Sequence, residues 1–492
     1  MPEAMGDPAR RRGREGKMQV ELKLLSGLAL AVQVFALTPS AAHAAEDAKL
    51  ARYRETYREM IETDSSAATG SCTAVAEKVQ ARLLAAGYPR AAVEVSIPEG
   101  FPKDGALLAR LDGTDPKAPA VLLLAHIDVV NANPADWKRD PFKLVEEDGY
   151  FFGRGAIDDK AMASNLVDAL VRYKEEGFRP RHTLKLALTC GEESGGRVKG
   201  VKWLLEHRPE TLKAAFAINE GGSGYLDAAG KPTVFGVEAG QKVYQDFKLV
   251  VTSPGAHSSR PGKDNAITRM SAALVRLGAY QFPVQLNDVA KGFFGRSAAL
   301  HEGQVRQDMA AIGAGAADAA AIARIADADP TWNARLRTTC SSTMIDGGHA
   351  RNALAQHVEV NVNCRIVPGP SIEEIRAAIV TALADPSVEV TTNSPPPPPP
   401  VPTPLTREIM GPIETVAARL WPGTPVIPAL STGATDGRFL TAAGIPTYGV
   451  TGMFVDPDGN GVHGLDERVR VSSLYKSRDF LYQLIKLYGM GR

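Results

Sequence analysis

The sequence has no net charge: 56 lysines and arginines are balanced by 56 aspartates and glutamates. That balance excludes a nucleic-acid surface that works by bulk electrostatics. An apolar run that would span a bilayer comfortably is missing too, since residues 24–37 fall short of the roughly 20 a spanning helix needs. Cysteine is scarce, with only Cys72, Cys190, Cys340 and Cys364. The glycine-rich turn 153–160 lacks the long Gly-x-x-x-x-Gly-Lys-Ser/Thr spacing of a phosphate loop, and its two carboxylates would repel an anion. What is present is ordinary globular material, 44% hydrophobic and 23% charged. At 492 residues the chain exceeds the usual size of one core, so two domains are expected.

The first 44 residues read as a leader rather than as part of the fold. Basic residues at 10–14 and 17–23 precede the apolar run 24–37, and Ala42-His43-Ala44 offers small residues for cleavage. A secretory signal peptide cut after Ala44 is expected, with the seventeen residues before Met18 as an over-extended start; an uncleaved anchor is the alternative. Export places the mature chain in the periplasm or the medium, with no membrane contact after cleavage, and makes the cysteines candidates for disulfides. Cys340 and Cys364 fall on two expected strands, 337–345 and 357–367, joined by a turn. A bridge there and a reduced buried pair both remain open.

Along the mature chain, helical periodicity at 46–63 and 72–86 precedes short aliphatic strands at 106–111 and 120–125. The second strand ends in His126-x-Asp128. The turn 153–160 presents Asp158 and leads into a helix reaching residue 176, and the strand 184–189 runs into Gly191-Glu192-Glu193. A further strand, 214–218, ends in Asn219-Glu220. Strand after strand thus delivers an acid or a histidine to its carboxyl end, where open α/β sheets hold ligands.

From residue 242 the pattern changes to longer-spaced strands and helices. An Ala/Gly-rich segment, 310–328, looks helical and carries no evident chemistry. The proline run 395–400 is a stiff spacer. Beyond it the α/β alternation returns with a helix at 407–420, the turn 431–438, His463 and a final helix at 472–488. The expected organisation is a catalytic domain in two pieces, 45–241 and 395–492, interrupted by 242–394.

Taken in order, His126-x-Asp128, Gly-Arg-Gly-Ala-x-Asp158-Asp159-Lys160, Gly-Glu192-Glu193, Asn-Glu220 and His463-Gly-Leu-Asp-Glu467-Arg resemble the motifs of the di-zinc exopeptidases. That family includes glutamate carboxypeptidase, carboxypeptidase S, aminoacylase, succinyl-diaminopimelate desuccinylase and carnosine dipeptidase. The resemblance implies an α/β fold with a mixed-sheet catalytic domain and an inserted α+β lid and dimerisation domain. It makes His126 and Glu220 ligands of one Zn²⁺, Glu193 and His463 ligands of the other, and Asp158 their bridge; Co²⁺ or Mn²⁺ suit the same donors. Asp128 would orient His126 from behind, and the Asp158–Asp159 peptide would be cis. Glu192 becomes the general base for a metal-bridged water.

In Gly255-Ala256-His257-Ser258-Ser259-Arg260-Pro261, His257 matches a histidine that polarises the scissile carbonyl, often from a partner subunit, which implies a homodimer. Asn352, Arg365 and the backbone at Gly433 match substrate-holding positions. One departure is Gly191, where many members carry an aspartate. The implied activity is hydrolysis of an amide next to a free carboxylate, of carboxypeptidase or dipeptidase type, on peptides. An aminoacylase acting on N-acyl amino acids is the nearest alternative, and a catalytically inactive binding protein on the same fold is the alternative from another class.

Overall fold

Val121, Leu123 and Ala125 enter one hydrophobic core while Leu122 and Leu124 enter another. In this computed structural model the strand Val121–His126 is thus covered on both faces, which is why it reads as an unbroken apolar run. The structure describes residues 41–193, 197–262, 264–393 and 403–491. Of the expected leader, residues 1–40 lie outside the described residues, as does the proline spacer 395–400. From Leu50 onward the chain forms one compact unit. Among the described residues no helix is long and apolar enough to cross a membrane.

Ten strands of the described residues form the main sheet. Its centre is parallel, with Leu184–Thr189, Val121–His126, Phe216–Asn219 and Thr447–Gly449 side by side. Ala106–Leu111 and Val93–Ser96 extend one side antiparallel, and Pro232–Gln241, Gly224–Leu226 and Val426–Ser431 build the other. The parallel strands share one carboxyl edge, so the residues following each of them meet there. Helices Cys72–Ala85, Lys160–Glu175, Arg407–Leu420 and Val471–Met490 cover one face, and Gly200–His207 and Gly437–Ala442 contribute Leu204 and Leu440 to the other.

A second, antiparallel sheet has the order Thr339–Gly347, His357–Ile366, Val243–Thr252, Glu389–Thr392. Its alternate residues, among them Phe247, Leu249, Val360 and Val362, face the helices Ala266–Ala279 and Ile372–Leu383 and give this α+β unit its own core. The outermost strand is left open. Residues 341–347 are all exposed, with Met344 at 72% and Ile345 at 64%.

The Ala/Gly-rich segment forms the helices Gly303–Gly313 and Ala319–Ala328, which join Asp288–Ser297 and Pro330–Leu336 around Phe294, Met309, Ile312 and Ile325. Glycine is needed where two of them touch: a Cβ on Gly313 would sit 2.3 Å from the Gly295 Cα. This helical cluster leans on the main sheet. Gly292 lies against Pro428, and Arg296 donates to Glu414 and to the Val426 carbonyl.

Both cysteine pairs are bridged. Cys340 and Cys364 face each other across neighbouring strands, and Cys72 is joined to Cys190, 118 positions away. The second pairing has no counterpart in the sequence reading, because the two cysteines meet only through the packing of a helix start on a strand end.

Candidate metal centre

His126 is the last residue of its strand and almost wholly buried. Its Nδ1 lies 3.0 Å from the Asp128 main-chain carbonyl, an acceptor, so that nitrogen carries the proton. The Nε2 lone pair then faces Asp158 Oδ1 at 3.1 Å and Glu220 Oε2 at 3.4 Å. A lone pair aimed at two carboxylates is repulsive unless a proton or a cation stands between them. On the other side, His463 Nε2 lies 2.9 Å from Glu193 Oε1 and 3.2 Å from Asp158 Oδ2. The two triads, His126/Asp158/Glu220 and Asp158/Glu193/His463, each bring one ligand atom per residue within 4.8 Å of one another. Asp158 gives one oxygen to each.

The charges match that arrangement. Burial, and then Asp158, push the Glu193 carboxyl up to about 8, and burial pushes Glu220 equally far. Against the burial that would raise it, His126 and His463, where protonated on Nε2, donate to Asp158 and hold it below the ordinary carboxylate range. Asp158 and Glu193 raise His463 to about 9. Three crowded carboxylates and two imidazoles form a donor set that fits a pair of divalent cations such as Zn²⁺, with Asp158 reaching both.

Glu192 belongs to neither triad. It is half-buried, and its carboxyl is raised, first by burial and then, against the pull of His126, by Asp128 and Asp158. Its backbone is held from two sides. The buried Asp128 carboxylate accepts the amide N–H groups of Glu192 and Glu193 at 3.3 and 3.1 Å, and Lys199 Nζ donates to the Glu192 carbonyl at 2.8 Å. Asp128 therefore supports His126 through its main-chain carbonyl, its carboxylate lying 3.7 Å from the ring, and positions the two glutamates with the carboxylate itself.

Gly191 is explained by the same loop. Its φ is +87°, and a Cβ there would fall 2.1 Å from the Val198 carbonyl oxygen, so an aspartate at this position has no room. The disulfide to Cys72 anchors the residue before it.

Two residues given no role from the sequence complete the centre. Glu467 is fully buried and accepts hydrogen bonds from Arg154 at 2.7 Å and from the amides of Gly155, Ile157 and Asp158 at 3.0, 2.9 and 3.1 Å. Arg154 also donates to the Gly464 carbonyl, tying the Asp158 turn to the His463 segment. The Asp158–Asp159 peptide in that turn is cis. Asp436, also buried, accepts from Thr189 Oγ1, and burial together with the charges of Glu192 and Asp128 pushes its carboxyl up to about 7.

The remaining sequence candidates divide into two groups. Arg365, stacked over Tyr244, donates to the Thr432 carbonyl at 3.4 Å, which places it beside the Gly433 turn. His257 and Asn352 lie together on the smaller unit, joined by Ser258 N–H to the Asn352 carbonyl, and both are exposed. Among the described residues no hydrogen bond or ion pair links those two to the acid–histidine cluster.

A sequence-family model, that of Peptidase family M20/M25/M40, matches residues 122–487. The N-fatty-acyl-amino acid synthase/hydrolase PM20D1 of Xenopus tropicalis is 27% identical over 390 residues, covering 77% of this chain and 74% of its own length. Among solved structures, the M20 family metallo-carboxypeptidase Sso-CP2 from Sulfolobus solfataricus superimposes with a TM-score of 0.63 at 18% identity, over 89% of this chain and 99% of its own. The Bacillus subtilis YXEP protein, described as a dinuclear metal binding peptidase from the M20 family, gives 0.56 at 12% identity, over 90% and 99%. At these identities both speak to the fold.

Proposed function

Because the chain belongs to Peptidase family M20/M25/M40, and is thus a metallo-hydrolase of amide bonds, we propose that it cleaves an amide next to a free carboxylate, with Zn²⁺ as its metal. The observation that carries this reading is the pair of triads sharing Asp158, with Glu192 standing beside them as a fourth acid outside both. When bound, paired cations supply Lewis acidity and acidify a water. Glu192 takes the attacking water's proton on its carboxylate and returns it to the nitrogen of the departing amine. Asp128 keeps Glu192 and Glu193 in register through their amides. Arg365 offers a guanidinium fork to the substrate carboxylate, beside the backbone of Gly433.

Peptides and N-acyl amino acids share these catalytic groups, and the second class is the one in the Xenopus relative's name. A panel of dipeptides, longer peptides and N-acyl amino acids, each with a free or an amidated C-terminus, tests the proposal. Free-carboxylate substrates should be cut, amidated ones should be slower by at least a hundredfold, and chelator should abolish turnover until Zn²⁺ is restored. Equal rates on amidated substrates would overturn the reading.

The leader pattern and the two bridged cysteine pairs support export to the periplasm or the medium. The open edge strand Thr339–Gly347 is the surface on which a second copy would pair, forming a homodimer. His257 and Asn352, exposed on the same unit, would then complete the partner's site, with His257 polarising the scissile carbonyl. Mixing a His257→Ala chain with a Glu192→Gln chain should recover activity in heterodimers. Confirmed subunit exchange without recovery counts against action in trans.

A further inference from the structure

The strand Leu184–Thr189 is followed by a loop that carries both Glu192 and Glu193 and leads into the helix Gly200–His207. The two arms of this loop meet at its neck, where the Gly200 N–H donates to the Cys190 carbonyl at 2.8 Å and Val198 lies against Gly191. None of the described residues from 191 to 199 enters a hydrophobic core. Polar contacts and covalent bonds therefore decide where the two glutamates stand.

The first arm is pinned by the bridge from Cys190 to Cys72. The returning arm is held by Arg197. Its guanidinium, buried like its partner Asp104, donates through Nη1 to the Asp104 carboxylate and through Nη2 to the carbonyls of Ser66 and Gly70. Asp104 in turn accepts the Val198 N–H at 3.0 Å with its other oxygen. The two tethers touch, because Arg197 Nη1 lies 3.7 Å from Cys190 Sγ.

The segment that receives Arg197 is itself fastened to the chain just beyond His126. Ser66 pairs with Val129, and Ser65 Oγ donates to the Ile127 carbonyl at 2.6 Å. Arg197 thus ties the glutamate loop to the stretch whose Asp128 accepts the amides of Glu192 and Glu193. A buried ion pair is weak evidence for stability, since desolvation offsets the attraction. What a planar fork with several acceptors adds is direction. We propose that Arg197, locked by Asp104, is a positioning residue for the reaction: it touches neither substrate nor metal ligand and holds the returning arm so that Glu192 stays beside the triads. The inference rests on the amide-hydrolase reading above.

A misplacement of about 1 Å at a reacting group costs about a hundredfold in rate. Arg197→Met keeps the aliphatic stem and removes the fork, so in metal-loaded enzyme kcat should fall by about ten- to a hundredfold while KM stays within about threefold. Asp104→Asn should lose a similar factor, and the double variant no more than the larger single loss, because the two side chains act as one clamp. Arg197→Lys, which retains the charge without the fork, should recover part of the rate. Hydrogen exchange followed by mass spectrometry gives a readout independent of turnover: in Arg197→Met, peptides covering 190–199 should exchange at least about tenfold faster than in wild type, with those covering 121–126 unchanged. If the melting curve shows that Arg197→Met does not fold, Arg197→Lys and Asp104→Asn carry the same comparison. Unchanged exchange in the loop, or faster exchange with kcat still within about threefold of wild type, would overturn the assignment. A wild-type enzyme that cuts no amide would sink the hydrolase reading instead, and the exchange comparison would still decide whether Arg197 holds the loop.

Discussion

Glu192→Gln should keep the metal content of the wild type and lose about 10²–10⁴-fold in kcat. Glutamine preserves the shape of the side chain, and the contacts that hold this residue, from Asp128 and Lys199, are made to its backbone. The five side chains of the two triads are untouched, so cation affinity should stay as it was. What disappears is the carboxylate assigned the attacking water's proton. Elemental analysis of the dialysed protein and steady-state kinetics on a single N-acyl amino acid check both halves. Turnover within tenfold of wild type would remove Glu192 from the proton-transfer role, and loss of metal would make it a ligand.

The second large effect is expected at Glu467. Its removal leaves the Arg154 guanidinium buried without its anion, and breaking a buried pair from one side costs about 3–5 kcal/mol. Glu467→Ala should therefore shift the urea midpoint strongly and weaken metal binding, because the Asp158 turn loses its clamp. A buried ion pair can often be replaced by two apolar residues at little cost. Here that remedy should fail. In an Arg154→Leu/Glu467→Leu protein three backbone amides are still left without an acceptor, each at about 1–3 kcal/mol. Recovery of wild-type stability in that double variant would show that the amides are satisfied in another way.

The triads were legible in the sequence because each ligand follows an apolar run or a glycine turn within a few residues. His126 ends one short apolar strand and Glu220 follows another, local information that the order of motifs completed. What stayed hidden depends on residues that meet from afar. Glu467 finds Arg154 across 313 positions, and nothing near either residue announces the other. Asp128 was read as the support of His126, yet its carboxylate faces the amides of Glu192 and Glu193, a choice made by how two neighbouring parallel strands end. The 310–328 segment gave away its helices through composition, but not that they would pack around Phe294 and Leu336 of the neighbouring helices. A helix pattern records that one face is buried; the identity of the opposite surface is set by tertiary packing.

The bridge between Cys72 and Cys190 has a topological consequence. It closes a covalent ring that contains His126, Asp128 and Asp158, while Glu192, Glu193, Glu220 and His463 lie beyond it. A protease that cuts once between positions 73 and 189 opens the ring without releasing a fragment. In an oxidising medium the nicked chain stays one molecule, with all five ligand side chains still joined through sulfur, and comes apart into two pieces only when a thiol is added.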